Sequence, residues 1–178
     1  KSLLPSAKII GSTTDGEILE DNVSENKTVL SISVFTDTKI QTYSTTVLSN
    51  SYETAKQLTK NLNNDGELKL AITFCDGLNI NGQEYVKAFQ DYDNKLVIAG
   101  GLAGDNAQFK NTYVFTEEGV QKSGAVLAAF YNKNLIVNTD YNFNWESIGK
   151  VLKITDSKDN VVYTIDNMPA AQVYRNYL

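Results

Sequence analysis

The sequence contains no histidine. That absence removes every Ser-His and Cys-His nucleophile pair, the usual zinc and copper ligands and the usual general base near neutral pH. Most hydrolase chemistry is therefore closed to this chain acting alone, and neither a metal nor a cofactor is expected; carboxylate or lysine chemistry stays open. A single cysteine, Cys75, excludes an internal disulfide framework and fits a reducing compartment. Lysine and arginine are scattered without a run, and the net charge is −5. A basic face for phosphate is missing, so nucleic acid is not an expected partner. No apolar stretch approaches the ~18 residues of a membrane span, so no membrane partner is expected. No signal peptide opens the chain, although a processed chain would look the same. Only Pro5 and Pro169 interrupt the backbone chemistry, and no long linker or low-complexity tract divides the sequence.

What is present is ordinary for a folded domain. The 178 residues are 42% hydrophobic, 10% aromatic and 21% charged, enough to build a core in one domain, or in one domain with an appended piece. Residues 29–35 (VLSISVF) alternate apolar and polar, and 39–48 (KIQTYSTTVL) are rich in β-formers, so the pair predicts an antiparallel hairpin. At 51–62 the period changes to that of a helix, with Ser51 as a cap and Ala55, Leu58 and Leu62 on one face. A strand at 68–74 and a helix at 83–92, with Val86 and Phe89 inward, come next. Strands are then expected at 112–115, 125–131, 135–141, 151–154 and 161–165, and a helix after Pro169. This order predicts an α+β fold with largely antiparallel sheets flanked by about three helices.

Three apolar runs end in polar, glycine-containing segments, which is where a globular domain usually places a binding site. In VIAGGLAGDNAQF (97–109), a short strand is followed by Gly100, Gly101 and Gly104, read as a sharp turn, with Asp105 and Asn106 at its mouth. The order of these glycines is not a dinucleotide fingerprint. In IIGSTTDGEI (9–18), Ser12, Thr13 and Thr14 offer hydroxyls and Glu17 a carboxylate; the blander alternative is a turn whose hydroxyls satisfy their own backbone. It lacks the lysine and spacing of a P-loop. Asp76 and Gly77 follow the strand ending at Phe74. Their neighbour Cys75 reads as a small buried hydrophobe, because no base is present to lower its pKa. Trp145, the only tryptophan, is either an apolar wall for a ligand or a core plug. If the three strands are neighbours, their loops converge on one polar pocket.

Taken in order, these segments resemble the FIST sensory domain, named for F-box and intracellular signal transduction proteins. IIGSTTDGEI is similar to that family's "iiG-x-sT-x-Gei" segment, and VIAGGLAGDNAQF to its "GG-x-agd" segment, followed by TYVF. GAVLAAFY, WESIG and VVYTIDNMPAAQVYRNYL also match in order, the last resembling "v-x-elDg-x-pA-x-x-Y". Residues 1–178 thus resemble the amino-terminal part of the domain without its first strand and helix, with 166–178 leading toward a carboxy-terminal part. Asp15 and Asn167 stand where the family more often has small residues or glycine.

The resemblance implies a cytoplasmic input module of a bacterial signalling protein that binds a small polar ligand such as an amino acid. It also implies an output partner: a chemoreceptor, histidine kinase or cyclic-dinucleotide module. On this reading the chain is not an enzyme. Ser12, Thr13 and Thr14 face the acidic end of the ligand, while Glu17, Asp76 or Asp105 takes its amine. Gly100 and Gly101 allow close approach, Asn106 completes the polar mouth and Trp145 forms a wall. Two alternatives stay open at this point: a ligand-free interaction scaffold, marked by an exposed apolar patch, and a hydrolase using two of Glu17, Asp76 and Asp105.

Overall fold

The computed structural model describes residues 4–63, 65–140, 146–147 and 149–177. They form two compact units, Lys1–Asn138 and Thr139–Leu178. The fold is α+β, with three helices and mostly antiparallel strands.

The first unit is organised around one strand. In GAVLAAFY (Gly124–Tyr131) every residue is buried, as expected of a continuous apolar run with both faces covered. Numbered in chain order, the strands of this unit are β1 (Ile10–Ser12), β2 (Glu17–Leu19), β3 (Asn22–Ser24), β4 (Lys39–Thr46), β5 (Leu68–Asp76), β6 (Val97–Ala103), β7 (Tyr113–Thr116), β8 (Gly119–Lys122) and β9 (Gly124–Tyr131). The main sheet has the order β4-β9-β5-β6; β5 and β6 run parallel, and β9 is antiparallel to both its neighbours.

Helices α1 (Ser51–Thr59) and α2 (Gly82–Tyr92) cover one face of that sheet. Ala55 and Leu58 of α1 meet Tyr85, Ala88 and Phe89 of α2 over Ala71 and Cys75 of β5 and Ala125, Leu127 and Ala129 of β9. Each fully buried leucine or phenylalanine here contributes roughly 1.5–3 kcal/mol by transfer alone. The alternate β9 residue Val126 points to the other face, joining Ala103 and Val114, with Ile10 and Phe74 packed alongside. There the small antiparallel sheet β1-β7-β8 lies over the main one.

Asn50 caps α1 by accepting the Glu53 N–H at 2.8 Å, and Asn81 caps α2 by accepting from Gln83 and Glu84. Ser51, the cap expected from sequence, is instead the first helical residue. Its hydroxyl accepts the Asn81 N–H at 2.8 Å and so ties the two helix starts together. The inward stripe of α2 is Tyr85, Ala88 and Phe89. Val86 lies one residue, about 100°, off that stripe and is exposed.

Several expected strands are not formed. Residues 29–35 form no strand and make no hairpin with β4, which pairs along its whole length with β9 on one edge only; local alternation alone does not secure a pairing. Residues 135–140 carry no strand, and position 141 lies outside the described residues. Val151 is exposed, and the strand expected near it begins instead at Ile154.

The second unit holds the hairpin β10 (Ile154–Lys158) and β11 (Val161–Ile165), the two-residue strand β12 (Met168–Pro169) and α3 (Ala170–Arg175). Asp159 turns the hairpin in the left-handed region at φ 53°. Pro169 stands at the position before α3 with no capping side-chain bond, and not in the first helical turn. No helix among the described residues is long and apolar enough to cross a membrane.

Candidate functional site

The ends of β1, β5 and β6 come together at one end of the main sheet. Residue 13 follows β1 directly, and the Thr13 carbonyl accepts the Gly104 N–H, just past β6, at 3.0 Å. Thr13 also extends the pairing with β7: its N–H donates to the Tyr113 carbonyl at 2.9 Å, and its hydroxyl accepts the Tyr113 N–H at 3.1 Å. Asp76, the last residue of β5, stands beside Ala103 in the parallel register.

Asp15 crosses to the same loop. Its carboxylate accepts the Ala107 N–H at 3.2 Å and packs so closely on Gly104 that a Cβ there would collide with it. Asn106 reaches in the other direction, its amide donating to Glu25 at 3.5 Å. Segments 12–17 and 104–111, separate in the sequence, thus form one polar surface that includes Glu25.

Not every carboxylate there is available to a ligand. Asp105 accepts the N–H of Phe109 through one oxygen and those of Lys110 and Asn111 through the other, at 2.6–3.0 Å. These bonds, led by that from Lys110, hold its pKa below the ordinary carboxylate value. They also organise a loop in which Asn106, Ala107 and Phe109 are all left-handed, with φ of 54–57°. Strain of this kind persists only where surrounding bonds over-determine it. The Phe109 ring is left 77% exposed on that loop.

Asp76 is fully buried. Burial acts to raise its pKa, but the Asn79 amide, the Leu78 N–H and the nearby hydroxyls of Thr112 and Ser123 outweigh it, and the net displacement is downward. The Thr112 hydroxyl is itself buried and, although close enough to act on Asp76, makes no hydrogen bond of good geometry. Asp76 therefore fixes the turn after β5, accepting from Leu78 at 2.7 Å and from Asn79. Glu17 is likewise occupied, by the Thr14 hydroxyl at 2.9 Å and the Lys27 N–H at 3.2 Å.

Gly100 and Gly101 lie inside β6, not in a turn. Gly100 has φ +140°, and a side chain at that position would overlap the Thr73 carbonyl of β5. Its freedom serves strand packing. Ser12 is half-buried at the end of β1, opposite Val114. Trp145 lies outside the described residues. Cys75 is buried, and burial followed by the neighbouring Asp76 charge pushes its thiol up to about 12; it is a packing residue.

Two carboxylates at this surface, Asp15 and Glu25, accept only one hydrogen bond each among the described residues. Neither was singled out from sequence as an amine partner. Asp15 stands within the conspicuous IIGSTTDGEI segment, whereas nothing near Glu25 signals its place beside Asn106. Among the described residues no group of three or more His, Cys, Asp and Glu is placed to hold a metal ion. The second unit has an apolar groove of about 390 Å³ lined by Ile154, Val162, Ile165, Ala170, Ala171 and Tyr174. It contains none of the site residues expected from sequence.

The model of the FIST N domain family matches residues 1–168, most of the chain. This chain belongs to the FIST N domain family. The match includes every strand-end segment described above. FIST domains form a sensory family of signal-transduction proteins, not a family of enzymes. No curated protein and no solved structure matches this FIST N domain.

Proposed function

We propose that this FIST N domain senses a small polar molecule, an amino acid being the simplest case, at the surface joining segments 12–17 and 104–111. The reading rests on one observation: Asp15 and Asn106 are brought to a common loop, with Glu25 beside them, while Glu17, Asp76 and Asp105 each already accept two or three hydrogen bonds from groups around them. Asp15 and Glu25 take the amine. The Ser12 hydroxyl and the Asn106 amide serve the acidic end, and Thr13 positions the two segments instead of contacting the ligand. Phe109 supplies an exposed apolar face on the same loop.

The proposed setting is the cytoplasmic side of a bacterial signalling protein, with an output module as partner. Signalling requires that the ligand prefer one arrangement of the 104–111 loop, because equal affinity for two states shifts nothing. The hydrolase alternative needs a carboxylic acid with a raised pKa. Asp76, Asp105 and Glu117, the carboxylates with displaced values, are all displaced downward.

Thermal unfolding against a panel of amino acids, small carboxylates and sugars tests the proposal. A ligand at ~100 times its Kd stabilises the folded state by roughly 2.7 kcal/mol. One compound class raises the midpoint, and Asp15→Ala or Asn106→Ala abolishes the shift measured against each variant's own unliganded midpoint. A shift that survives both changes places the ligand elsewhere.

A further inference from the structure

Residues 28–36 (TVLSISVFT) have the composition and alternation of a strand, yet among the described residues their backbone makes no hydrogen bond. Their side chains still alternate in exposure. Val29 and Phe35 are 43% and 41% exposed, and Phe35 sets its ring edge-on to Phe130 at 5.5 Å. Leu30, Ile32 and Val34, on the other parity, are 77%, 66% and 90% exposed. An apolar β-segment with unpaired backbone groups is a template for another strand.

The sequence around it is self-complementary. In an antiparallel pairing about Ile32, Leu30 falls opposite Val34, Val29 opposite Phe35, Ser31 opposite Ser33, Thr28 opposite Thr36 and Lys27 opposite Asp37. A two-fold interface contains each of these pairings twice. Charge also selects the register. Centring on Ser31 sets Glu25 against Asp37, and centring on Ser33 sets Lys27 against Lys39; both are like-charge pairs. Within the chain, neither Lys27 nor Asp37 has an ion-pair partner among the described residues.

We infer that residues 27–37 are a homodimerisation strand, which pairs antiparallel about Ile32 with the same strand of a second copy of this chain. The interface adjoins the proposed ligand surface where the Lys27 N–H donates to Glu17, but it does not rest on that reading. It gives a sensory domain a two-fold partner through which a change can be passed.

Sedimentation velocity over a wide concentration range tests this, with circular dichroism confirming that each variant is folded. The unaltered chain shows a reversible monomer–dimer equilibrium. Lys27→Asp and Asp37→Lys each weaken it roughly tenfold, since two pairs change from attraction to repulsion. The double variant K27D/D37K associates again. So does an equimolar mixture of the two single variants, which restores opposite charges at both pairs and forms a heterodimer. A chain that is monomeric throughout overturns the inference and leaves the segment to a strand of some other partner. A dimer indifferent to both single changes overturns it equally, because that dimer uses another surface.

Discussion

The Thr73 hydroxyl and the Tyr85 phenol stand 2.6 Å apart in the core, and Tyr85 is the donor. The direction follows from Thr73's second bond, 2.8 Å to the Val126 carbonyl, which can only accept. Thr73 spends its one proton there and receives the proton of Tyr85. The network ties α2 to β5 and β9 on the helix-covered face of the sheet. Tyr85→Phe removes a donor and leaves Thr73 bonded to Val126, so it costs about 1 kcal/mol. Thr73→Val leaves a buried phenol without a partner and costs about 1–3 kcal/mol. Urea unfolding of both single variants and the double variant checks this; the double loses less than the two singles combined.

Gly100 and Gly101 are adjacent in β6 but face opposite consequences on substitution. Gly100→Ala drives a methyl group into the Thr73 carbonyl and strains a φ of +140°, so it separates β6 from β5 and costs on the order of 2–4 kcal/mol. Gly101→Ala meets nothing within 4 Å and stays within about 0.5 kcal/mol of the unaltered chain. The pair of denaturation midpoints distinguishes a packing glycine from a merely adjacent one. Equal losses would mean that β6 is not in the register described.

Much of the main sheet was legible because its residues carry their own evidence. GAVLAAFY is an uninterrupted apolar run and proved to be the strand covered on both faces. The α+β class followed from helices early and strands late in the chain. The alternation of 29–35 was equally visible, but a strand needs a neighbour, and no local pattern says which neighbour wins. The site was half legible for a similar reason. Apolar runs ending in glycine and polar residues marked segments 12–17 and 100–106, and the Thr13–Gly104 bond brings two of them together. What sequence conceals is saturation. The donors to Asp76 and Asp105 are largely backbone N–H groups, present at almost every position, so nothing in the residue types shows these carboxylates to be occupied. Glu25 and Glu117 gain their surroundings from residues far along the chain, Asn106 and Lys8.

Asp105 is expected to act on its loop before anything else. Asp105→Ala removes the acceptor of three N–H groups and releases the left-handed residues Asn106, Ala107 and Phe109. Native-state hydrogen exchange reads this directly: the amides of Phe109, Lys110 and Asn111 exchange at least tenfold faster, as local opening no longer breaks those bonds. The amides of β9 keep their protection. Unchanged exchange at 109–111 would show that the loop is held by something other than this carboxylate.

Glu117 is expected to make stability depend on acid. Its side chain is only 4% exposed, in the turn between β7 and β8. Burial acts to raise its pKa, but the Lys8 ammonium at 2.6 Å, the Thr42 hydroxyl at 2.7 Å, its own N–H and that of Ile9 outweigh burial, bringing it down from 4.5 to about 2. A carboxylate depressed in the folded state stabilises that state above its unfolded pKa, and the contribution is lost as pH falls through the folded value. For this group the contribution is on the order of 3 kcal/mol, present above pH 4.5 and gone below about 2. Glu117→Gln therefore destabilises the chain at neutral pH, and the gap between it and the unaltered chain closes as pH falls across that window. Lys8→Met gives a smaller loss, because the ammonium is 44% exposed and solvent screens it. Urea unfolding of the three proteins at a series of pH values measures the gap; one that stays constant on acidification would mean that Glu117 is held by shape and not by charge.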